Sequence, residues 1–298
     1  MKAHDILSRQ EIIQLMTKSD LHGTLIVFSA WSTVIAATVL VAKWPNVITV
    51  IFAVLIIGGR QLSLAILMHD CGHNSLFKTP WLNKFLGTWL VAAPIFSDMQ
   101  TYSRQHTIHH KAVGTPEDPD LSNYDAYPIS KWSLLRKVLR DLGGLTALKY
   151  WFYIIKTRFN SQPAIVTNTA LLRALAVNLL LFSLCLSLNQ AELYLLWLLA
   201  YNTSYFVFLR IRHVGEHAAV PKPNSPNMFE NTRTTLPRWW ERVLVCPVHV
   251  NYHIEHHLLP SVPPYKLALM HGWLVEKGAY KNTPLPLGYM AMLRGVLN

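Results

Sequence analysis

Hydrophobic residues in this chain gather into four long stretches separated by polar segments. A helix needs about 20 apolar residues to cross the ~30 Å hydrocarbon core of a bilayer. The four stretches meet that length and predict membrane-spanning helices at about residues 25–43, 47–68, 170–188 and 192–210. In their interiors the only charged residues are Arg60 and Arg173. The pattern therefore predicts an integral membrane protein of the all-α class.

The turns inside each pair of spans are short, since they comprise only residues 43–46 and 189–192. Neither turn is long enough to hold a domain, so each pair is expected to form a hairpin that crosses the bilayer and returns. Residues 1–24, 69–169 and 211–298 then lie on the same side of the membrane.

Positive charge indicates which side this is. The chain carries 27 Lys and Arg against 16 Asp and Glu, a net charge of +11. The three same-side segments hold three, 11 and nine of the 27, and the positive-inside rule places such segments in the cytoplasm. The sequence thus predicts one domain, residues 1–298, with four spans in two hairpins and a helical cytoplasmic cap.

Composition argues against a soluble protein and against a nucleic-acid partner. Charged residues make up 14% of the chain, whereas about 25% is typical of soluble domains. Anionic lipid headgroups explain the basic excess, and the sequence contains no nucleic-acid-binding motif. Cys71, Cys185 and Cys246 lack metal-site spacing, and we expect no disulfide in a reducing compartment.

Two segments between the spans and one polar pair inside a span have specific interpretations. Residues 85–96 are apolar but too short to span, which favours an interfacial or re-entrant piece. Residues 131–159 mix basic and apolar side chains, as in amphipathic helices in the headgroup plane or packed on the cap, with a break at Gly143 and Gly144. The intramembrane pair Arg60 and Gln61 either contacts a substrate headgroup or ties helices together, and we favour the tie.

Ten of the 14 histidines fall into four tight clusters, and imidazole is the side chain that most often binds transition metals. The clusters read H-x-x-x-H, H-x-x-H-H, H-x-x-x-H and H-x-x-H-H, so on helices the rings of each cluster project from one face. Nine or ten imidazoles suit two ions with four or five nitrogens each, although Zn, Cu, Fe and Ni all accept this ligand. The candidate ligands are His69, His73, His106, His109, His110, His213, His217, His253, His256 and His257.

Five carboxylates lie close to these histidines in the sequence. A histidine ligand usually donates its second N–H to a carboxylate or carbonyl, which fixes its tautomer. We expect this orienting role for Asp70, Asp118, Asp120, Glu216 and Glu255. For Asp118 and Asp120, ordinary turn chemistry is an equal alternative.

One local motif suggests different chemistry. Residues 213–217 match H-x-x-E-H, the inverted zinc-protease pattern, which would make His213 and His217 zinc ligands and Glu216 a general base. That interpretation leaves the other eight clustered histidines without a role. A membrane zinc hydrolase or a metal transporter is therefore the weaker hypothesis.

Three segments of the chain resemble the histidine boxes of integral-membrane fatty acid desaturases and their hydroxylase relatives. They are MHDCGHNSLF (68–77), RQHTIHHKAVGTPEDPDL (104–121) and NYHIEHHLLP (251–260). Many front-end desaturases have Gln at the position of His253, and no His-Pro-Gly-Gly of a fused cytochrome b5 domain is present. Stand-alone bacterial members are the most similar, which implies the bacterial inner membrane with the active site facing the cytoplasm.

The resemblance implies two iron ions, O2 as co-substrate, and a separate electron donor of the ferredoxin or cytochrome b5 type. It implies eight ligands from the three boxes and a ninth from His217, whereas His213 matches a position that holds a weaker or water-bridging group in relatives. The expected reaction introduces a double bond into a fatty acyl or other lipid chain, free or on a carrier. A hydroxylase, ketolase or decarboxylase on the same scaffold is the alternative.

Overall fold

The computed structural model describes residues 1–157, 159 and 164–298. These residues form helices and no strand apart from two isolated bridges, so the all-α prediction is confirmed for the described chain. The α-helices are α1 Arg9–Met16, α2 Asp20–Lys43, α3 Val47–Gly72, α4 Pro80–Leu86, α5 Met99–Ala112, α6 Lys131–Leu142, α7 Leu145–Lys156, α8 Asn168–Ser187, α9 Leu193–Asn202, α10 Ser204–His217, α11 Met228–Asn231, α12 Trp239–Leu244, α13 His253–Leu258, α14 Pro264–Glu276 and α15 Tyr289–Gly295.

Within the described residues, three helices are long and apolar enough to cross a bilayer, namely α2, α3 and α8. The turn before α3 is fixed by Asn46, whose side chain accepts hydrogen bonds from the backbone N–H groups of Ile48 and Thr49. More than half of the apolar window of α3 is buried, against 28% for α2. Helix α3 is therefore central, and it carries the first histidine box at its C-terminal end.

The fourth predicted span, residues 192–210, is not one continuous helix. It consists of α9 and the first half of α10, which are separated at Thr203, and α9 has only ten residues. Two hydroxyls compete with the regular helical hydrogen bonds at this point: Thr203 donates to Leu199 O (2.6 Å) and Ser204 donates to Val54 O on α3 (2.7 Å). Such local bonds bend or break helices. Three of the four expected spans are therefore continuous helices among the described residues, and the fourth is divided at Thr203.

The break brings α10 very close to α3 at Gly58. A Cβ added there would lie 2.1 Å from Ser204 Oγ and 2.9 Å from Tyr205 N, and small residues permit such close approach of helices in membranes. We expect Gly58→Val to lower the free energy of unfolding by about 1–3 kcal/mol through overpacking. Unfolding in detergent micelles measures this loss.

Gly272 on α14 provides the control for Gly58→Val. No atom lies within 4 Å of a Cβ built at this position. Gly272→Ala should raise the free energy of unfolding by about 0.5–1 kcal/mol, because alanine favours helix. Equal stability of the two variants would contradict the packing of α3 against α10.

The intramembrane polar pair ties helices together, as the sequence favours. Arg60 donates to the carbonyl of Val243 on α12, and Gln61 Nε2 donates to the carbonyl of Trp197 on α9 (2.9 Å). Each side chain thus donates one hydrogen bond to the backbone of a neighbouring helix, which offsets part of the cost of burying a polar group inside an apolar bundle.

The short apolar segment before the second box is helical but irregular. A π-helical turn spans Gly87–Ala92 and a 3-10 turn spans Ala93–Ile95. The chain then turns at Phe96, whose φ is +53°, and Asp98 caps α5 by accepting from the N–H groups of Gln100 and Thr101. This cap fixes where the helix of the second box begins.

The basic and apolar stretch at residues 131–159 forms α6 and α7. They are separated at Gly143 and Gly144, where Gly144 has a φ of +75°, as the sequence predicts. Leu135 and Leu139 on α6 and Phe152 on α7 are exposed, which leaves an apolar face for lipid. Arg158, near the end of the predicted stretch, lies outside the described residues.

Candidate metal centre

Four elements bring the histidine clusters together at one end of the bundle. The first cluster ends α3, the second lies on α5, the third ends α10 and the fourth lies on the short α13. Nine of the ten candidate rings converge into two adjacent groups. The rings of His110 and His257, one from each group, have centroids 4.3 Å apart.

The first group, called here the five-histidine cluster, contains His69, His73, His106, His110 and His256. Four of its Nε2 atoms form a ring: His69 to His106 is 2.9 Å, His106 to His110 is 2.9 Å, His110 to His256 is 3.0 Å and His256 to His69 is 2.9 Å. The fifth nitrogen, Nε2 of His73, is buried and has no hydrogen-bond partner among the described residues.

The spacing of this ring fits a metal ion. A square with an edge of 2.9 Å has its centre about 2.1 Å from each corner, which equals the ~2.0–2.1 Å bond between a metal ion and an imidazole nitrogen. Hydrogen bonds alone do not explain this square of nitrogens. Each Nε2 atom of a neutral imidazole can either donate one proton or accept one, so it cannot do both for its two neighbours. The donor set therefore fits one cation with four imidazoles around it and His73 as the fifth.

The second group, called here the four-histidine cluster, contains His109, His217, His253 and His257, all of them buried. The Nε2 atom of His253 lies 3.0 Å from that of His217 and 3.1 Å from that of His257. The ring of His109 packs edge-on to His217 with centroids 4.9 Å apart. One nitrogen of each of the four rings lies within 4.8 Å of the other three, a spacing that fits a second cation.

His213 lies outside both groups, although the sequence made it a candidate ligand. It is absent from every cluster of metal-binding side chains that the described residues form, and it lines a small polar pocket beside His109, Asp120 and Glu216. The inverted zinc-protease motif requires His213 and His217 to converge on one ion, so the geometry does not favour a zinc hydrolase.

Four of the five candidate carboxylates bond or closely approach the outer nitrogen of a clustered ring, and three of them lie beside His69 and His109. His69 donates Nδ1–H to Asp70 Oδ1 (2.9 Å), and His109 donates Nδ1–H to Asp118 Oδ1 (2.8 Å). Asp120 Oδ2 stands 3.8 Å from the same nitrogen of His109. These bonds leave Nε2 of His69 and His109 as the ligating nitrogen, as expected for metal-binding histidines.

The fourth carboxylate, Glu216, approaches His253 with an Oε1 to Nδ1 distance of 3.5 Å. It also pairs with buried Arg212 at 2.5 Å, so the guanidinium balances its charge. Arg212 is not among the candidates from the sequence, although its spacing of four residues from Glu216 is a helical-pair signal.

The fifth carboxylate, Glu255, contacts none of the clustered rings. It is fully buried and accepts from Thr234 Oγ1 (2.6 Å), Tyr280 OH (2.5 Å) and His271 Nδ1. These bonds anchor the side of α13 that does not carry the ligand rings. The sequence assigned no function to His271, because its partner lies 16 residues away and no local spacing links the two.

Electrostatics keep these groups in metal-binding form. Burial and neighbouring histidines hold the pKa of His256 and His257 well below the usual range of imidazole, so both rings are neutral, which metal binding requires. Desolvation alone would raise the pKa of Asp118, but hydrogen bonds from His109 and Tyr124 outweigh it and lower the pKa to about 2. Asp118 is therefore a carboxylate that accepts the His109 proton.

A cavity of about 260 Å³ adjoins the five-histidine cluster. Its lining on α3 runs from His69 to Leu62, seven residues or about 10 Å along the helix. Ile66 and Phe206 contribute to an apolar wall, and Tyr201 on α9 also lines the cavity. Tyr201 lies three residues before Ser204, which bonds to Val54 O on α3, 15 residues before His69. This length and volume would admit a slender apolar chain with one segment beside His69.

Tyr102 separates this cavity from the second box. It lies one helical turn before His106 and stacks on that ring at 5.3 Å between centroids, and it lines the cavity. Tyr102 is not among the candidates from the sequence, although the four-residue spacing places both rings on one face of α5.

Comparison with known proteins gives one family. The family model for fatty acid desaturases matches residues 21–287. The chain is 28% identical to dihydrorhizobitoxine desaturase of Bradyrhizobium elkanii over 71% of this chain and 63% of that protein. It is 21% identical to sn-1 oleoyl-lipid 12-desaturase of Anabaena variabilis over 88% and 81%.

A third relative is sn-1 acyl-lipid omega-3 desaturase (ferredoxin) of Synechocystis sp., which is 25% identical over 72% of this chain and 64% of that protein. The chain therefore spans less than two thirds of two of these three relatives. All three names describe desaturases, and none describes a hydroxylase, ketolase or decarboxylase.

Proposed function

Because the chain belongs to the fatty acid desaturase family, we propose that it is an oxygen-dependent diiron desaturase that introduces a double bond into a fatty acyl or other lipid chain. The observation that carries the proposal is the convergence of nine histidines into two groups with metal-ligand spacing. A single zinc site would use about four ligands. Two groups of five and four imidazoles match a dinuclear centre.

The five-histidine cluster would hold one iron and the four-histidine cluster the other. Iron bound there would supply, with O2, the oxidising power to remove hydrogen from an unactivated C–H bond, which protein side chains alone lack. Asp70 and Asp118 hold His69 and His109 in the ligating tautomer. The four rings of the four-histidine cluster are buried, which would exclude water from that part of the site.

The cavity supports a chain-like substrate. Its apolar wall would hold an acyl chain with two adjacent carbons beside His69 and the methyl end toward Tyr201. Fixing the chain in this way selects which bond is oxidised, because only carbons near the metals react. A lipid or a carrier-linked acyl group would supply the chain from the cytoplasmic side.

The membrane arrangement is part of the proposal. Helices α2, α3 and α8 would span the bilayer, and α9 with the first half of α10 would complete the fourth crossing. The concentration of Lys and Arg in the segments that carry the histidines supports a cytoplasmic active site. We propose the bacterial inner membrane as its location.

Electrons would come from a separate protein of the ferredoxin or cytochrome b5 type. Metal-activated oxygen chemistry requires a reductant, and one relative carries ferredoxin in its name. Apart from the two histidine clusters, the described residues contain no group of cysteines or histidines with the spacing of an electron-carrying cofactor.

The experiment that tests the function is lipid mass spectrometry of cells with and without the gene. A desaturase yields a product that has lost two hydrogens, whereas a hydroxylase yields a product that has gained one oxygen. We expect the loss of two hydrogens, and it should disappear when the gene is replaced by the His256→Ala form. A product that has gained oxygen would contradict the proposal.

Shortening the aromatic side chain at the remote end of the cavity should change substrate length. Tyr201 packs against Phe96 and Trp151 with ring centroids 6.0 and 5.8 Å away. Tyr201→Ala should open this end and shift the products toward longer acyl chains. Tyr153→Ala is the control, because Tyr153 is exposed on α7. An unchanged chain-length distribution in Tyr201→Ala would contradict the proposed orientation.

A further inference from the structure

The two histidine clusters differ in how closely they approach the surface. All four rings of the four-histidine cluster are buried. In the five-histidine cluster, His73 and His110 are only half-buried, whereas the other three rings are buried. The centroids of these two half-buried rings lie 5.0 Å apart, so together they form the least buried edge of the proposed centre.

Helix α5 presents a second stripe of side chains at this edge. Arg104, Thr107, Ile108 and Lys111 follow one another at spacings of three, one and three residues, which places them on one helix face. All four are exposed, and Ile108 retains half of its exposure. The sequence of α5 contains no Asp or Glu. The stripe is therefore a basic surface with an apolar centre.

The stripe borders the half-buried ligands. Thr107 lies three residues before His110, so the two are neighbours on the surface of α5, and Ser103 Oγ on α5 donates to the carbonyl of Gly72 (3.2 Å), which joins α5 to the end of α3. Lys18 Nζ donates to the carbonyl of Asn74 (2.7 Å), the residue after His73. A third cation thus bonds the chain directly after His73.

We infer that this surface, called here the uptake face (Lys18, Asn74, Arg104, Ile108 and Lys111), docks an acidic one-electron carrier protein and passes its electrons to the centre through the His73 and His110 edge. The inference rests on the proposed function. Complementary charge would orient the carrier and speed its encounter. Electron-transfer complexes commonly use small interfaces of this kind.

The electron count requires such a partner. Reduction of O2 to two waters takes four electrons and four protons. Forming one double bond takes two electrons and two protons from adjacent carbons of the substrate. The carrier supplies the other two electrons one at a time, and solvent supplies two protons.

Binding of a reduced plant-type [2Fe–2S] ferredoxin to the full-length protein in nanodiscs tests the inference. Lys111→Glu should weaken binding about tenfold at low salt, since an interface charge governs association and its salt dependence. Arg104→Glu should act in the same direction from a position that does not adjoin a ligand. Raising the salt toward 0.15 M, where charges are screened beyond about 8 Å, should shrink both effects.

Lys281→Glu is the matched control, because it makes the same charge change at an exposed lysine whose side chain packs at Gly278. It should bind ferredoxin as the wild type does. Equal binding by wild type, Lys111→Glu and Arg104→Glu would overturn the inference, as would a wild type that binds no ferredoxin at low salt. If Lys111→Glu loses iron, its weaker binding could come from a damaged centre. In that case ferredoxin binding by Arg104→Glu decides whether the inference stands.

A second arm separates this inference from the proposed function. Dithionite reduces metal centres without a protein partner, so wild-type protein with dithionite, O2 and an acyl lipid should still form the desaturated product. Product with dithionite and equal ferredoxin binding by all variants would refute the uptake face alone. Absence of product from wild type under dithionite would refute the desaturase proposal itself.

Discussion

Replacing His256 with alanine should abolish desaturation and remove one of two bound metal ions. The Nε2 atom of His256 lies 2.9 Å from that of His69 and 3.0 Å from that of His110, so its loss opens the ring that would surround the ion. Loss of a hydrogen-bond partner of a ligand already costs about 10–100-fold in affinity or activity, and loss of the ligand itself should exceed about 100-fold. Product formation and metal content measure both effects.

The control for this substitution is His4→Ala, since His4 is exposed and lies outside both histidine clusters. Its activity and metal content should match the wild type. Membrane insertion should be intact in both variants, because neither residue lies in a spanning helix. A His256→Ala protein that retains full turnover would show that the ligand assignment is wrong.

Asp118→Asn should weaken metal binding in the four-histidine cluster by about 10–100-fold. The Asp118 carboxylate accepts from His109 Nδ1 (2.8 Å), from the backbone N–H of Asp120 (2.8 Å) and from Tyr124 OH. The amide keeps the shape but removes the charge that holds the His109 tautomer. Metal titration of the purified protein measures the change.

Asp125→Asn in the same loop is the matched control, because Asp125 is exposed. It should bind metal as tightly as the wild type. The comparison also decides between the two roles that the sequence left open for Asp118. If Asp118→Asn bound metal normally but lost stability, the residue would serve only the turn.

The sequence predicts much of this site because its information is local. Helical spacing places His106 and His110 on one face, and the same rule holds for His253 and His257. The division into groups of five and four is not local, because His106 and His109 lie on one helix yet belong to different groups. Only the packing of α3, α10 and α13 around α5 decides which ring joins which group.

The remaining differences have similar physical causes. Length and apolarity predict α2, α3 and α8, because a spanning helix is defined by its own residues. At the break at Thr203, one of the two competing hydrogen bonds runs from Ser204 to Val54 O of α3. No pattern within the stretch reveals this contact between helices. Likewise, Glu255 lies between two ligands in sequence, but it bonds to His271 on α14 instead.

The central claim concerns the metals themselves, and metal analysis with Mössbauer spectroscopy of the purified wild-type protein tests it most directly. Two irons per chain in coupled, nitrogen-rich sites are expected, with the count falling toward one in His256→Ala. A single zinc ion per chain, with catalytic activity that does not require oxygen, would contradict the account.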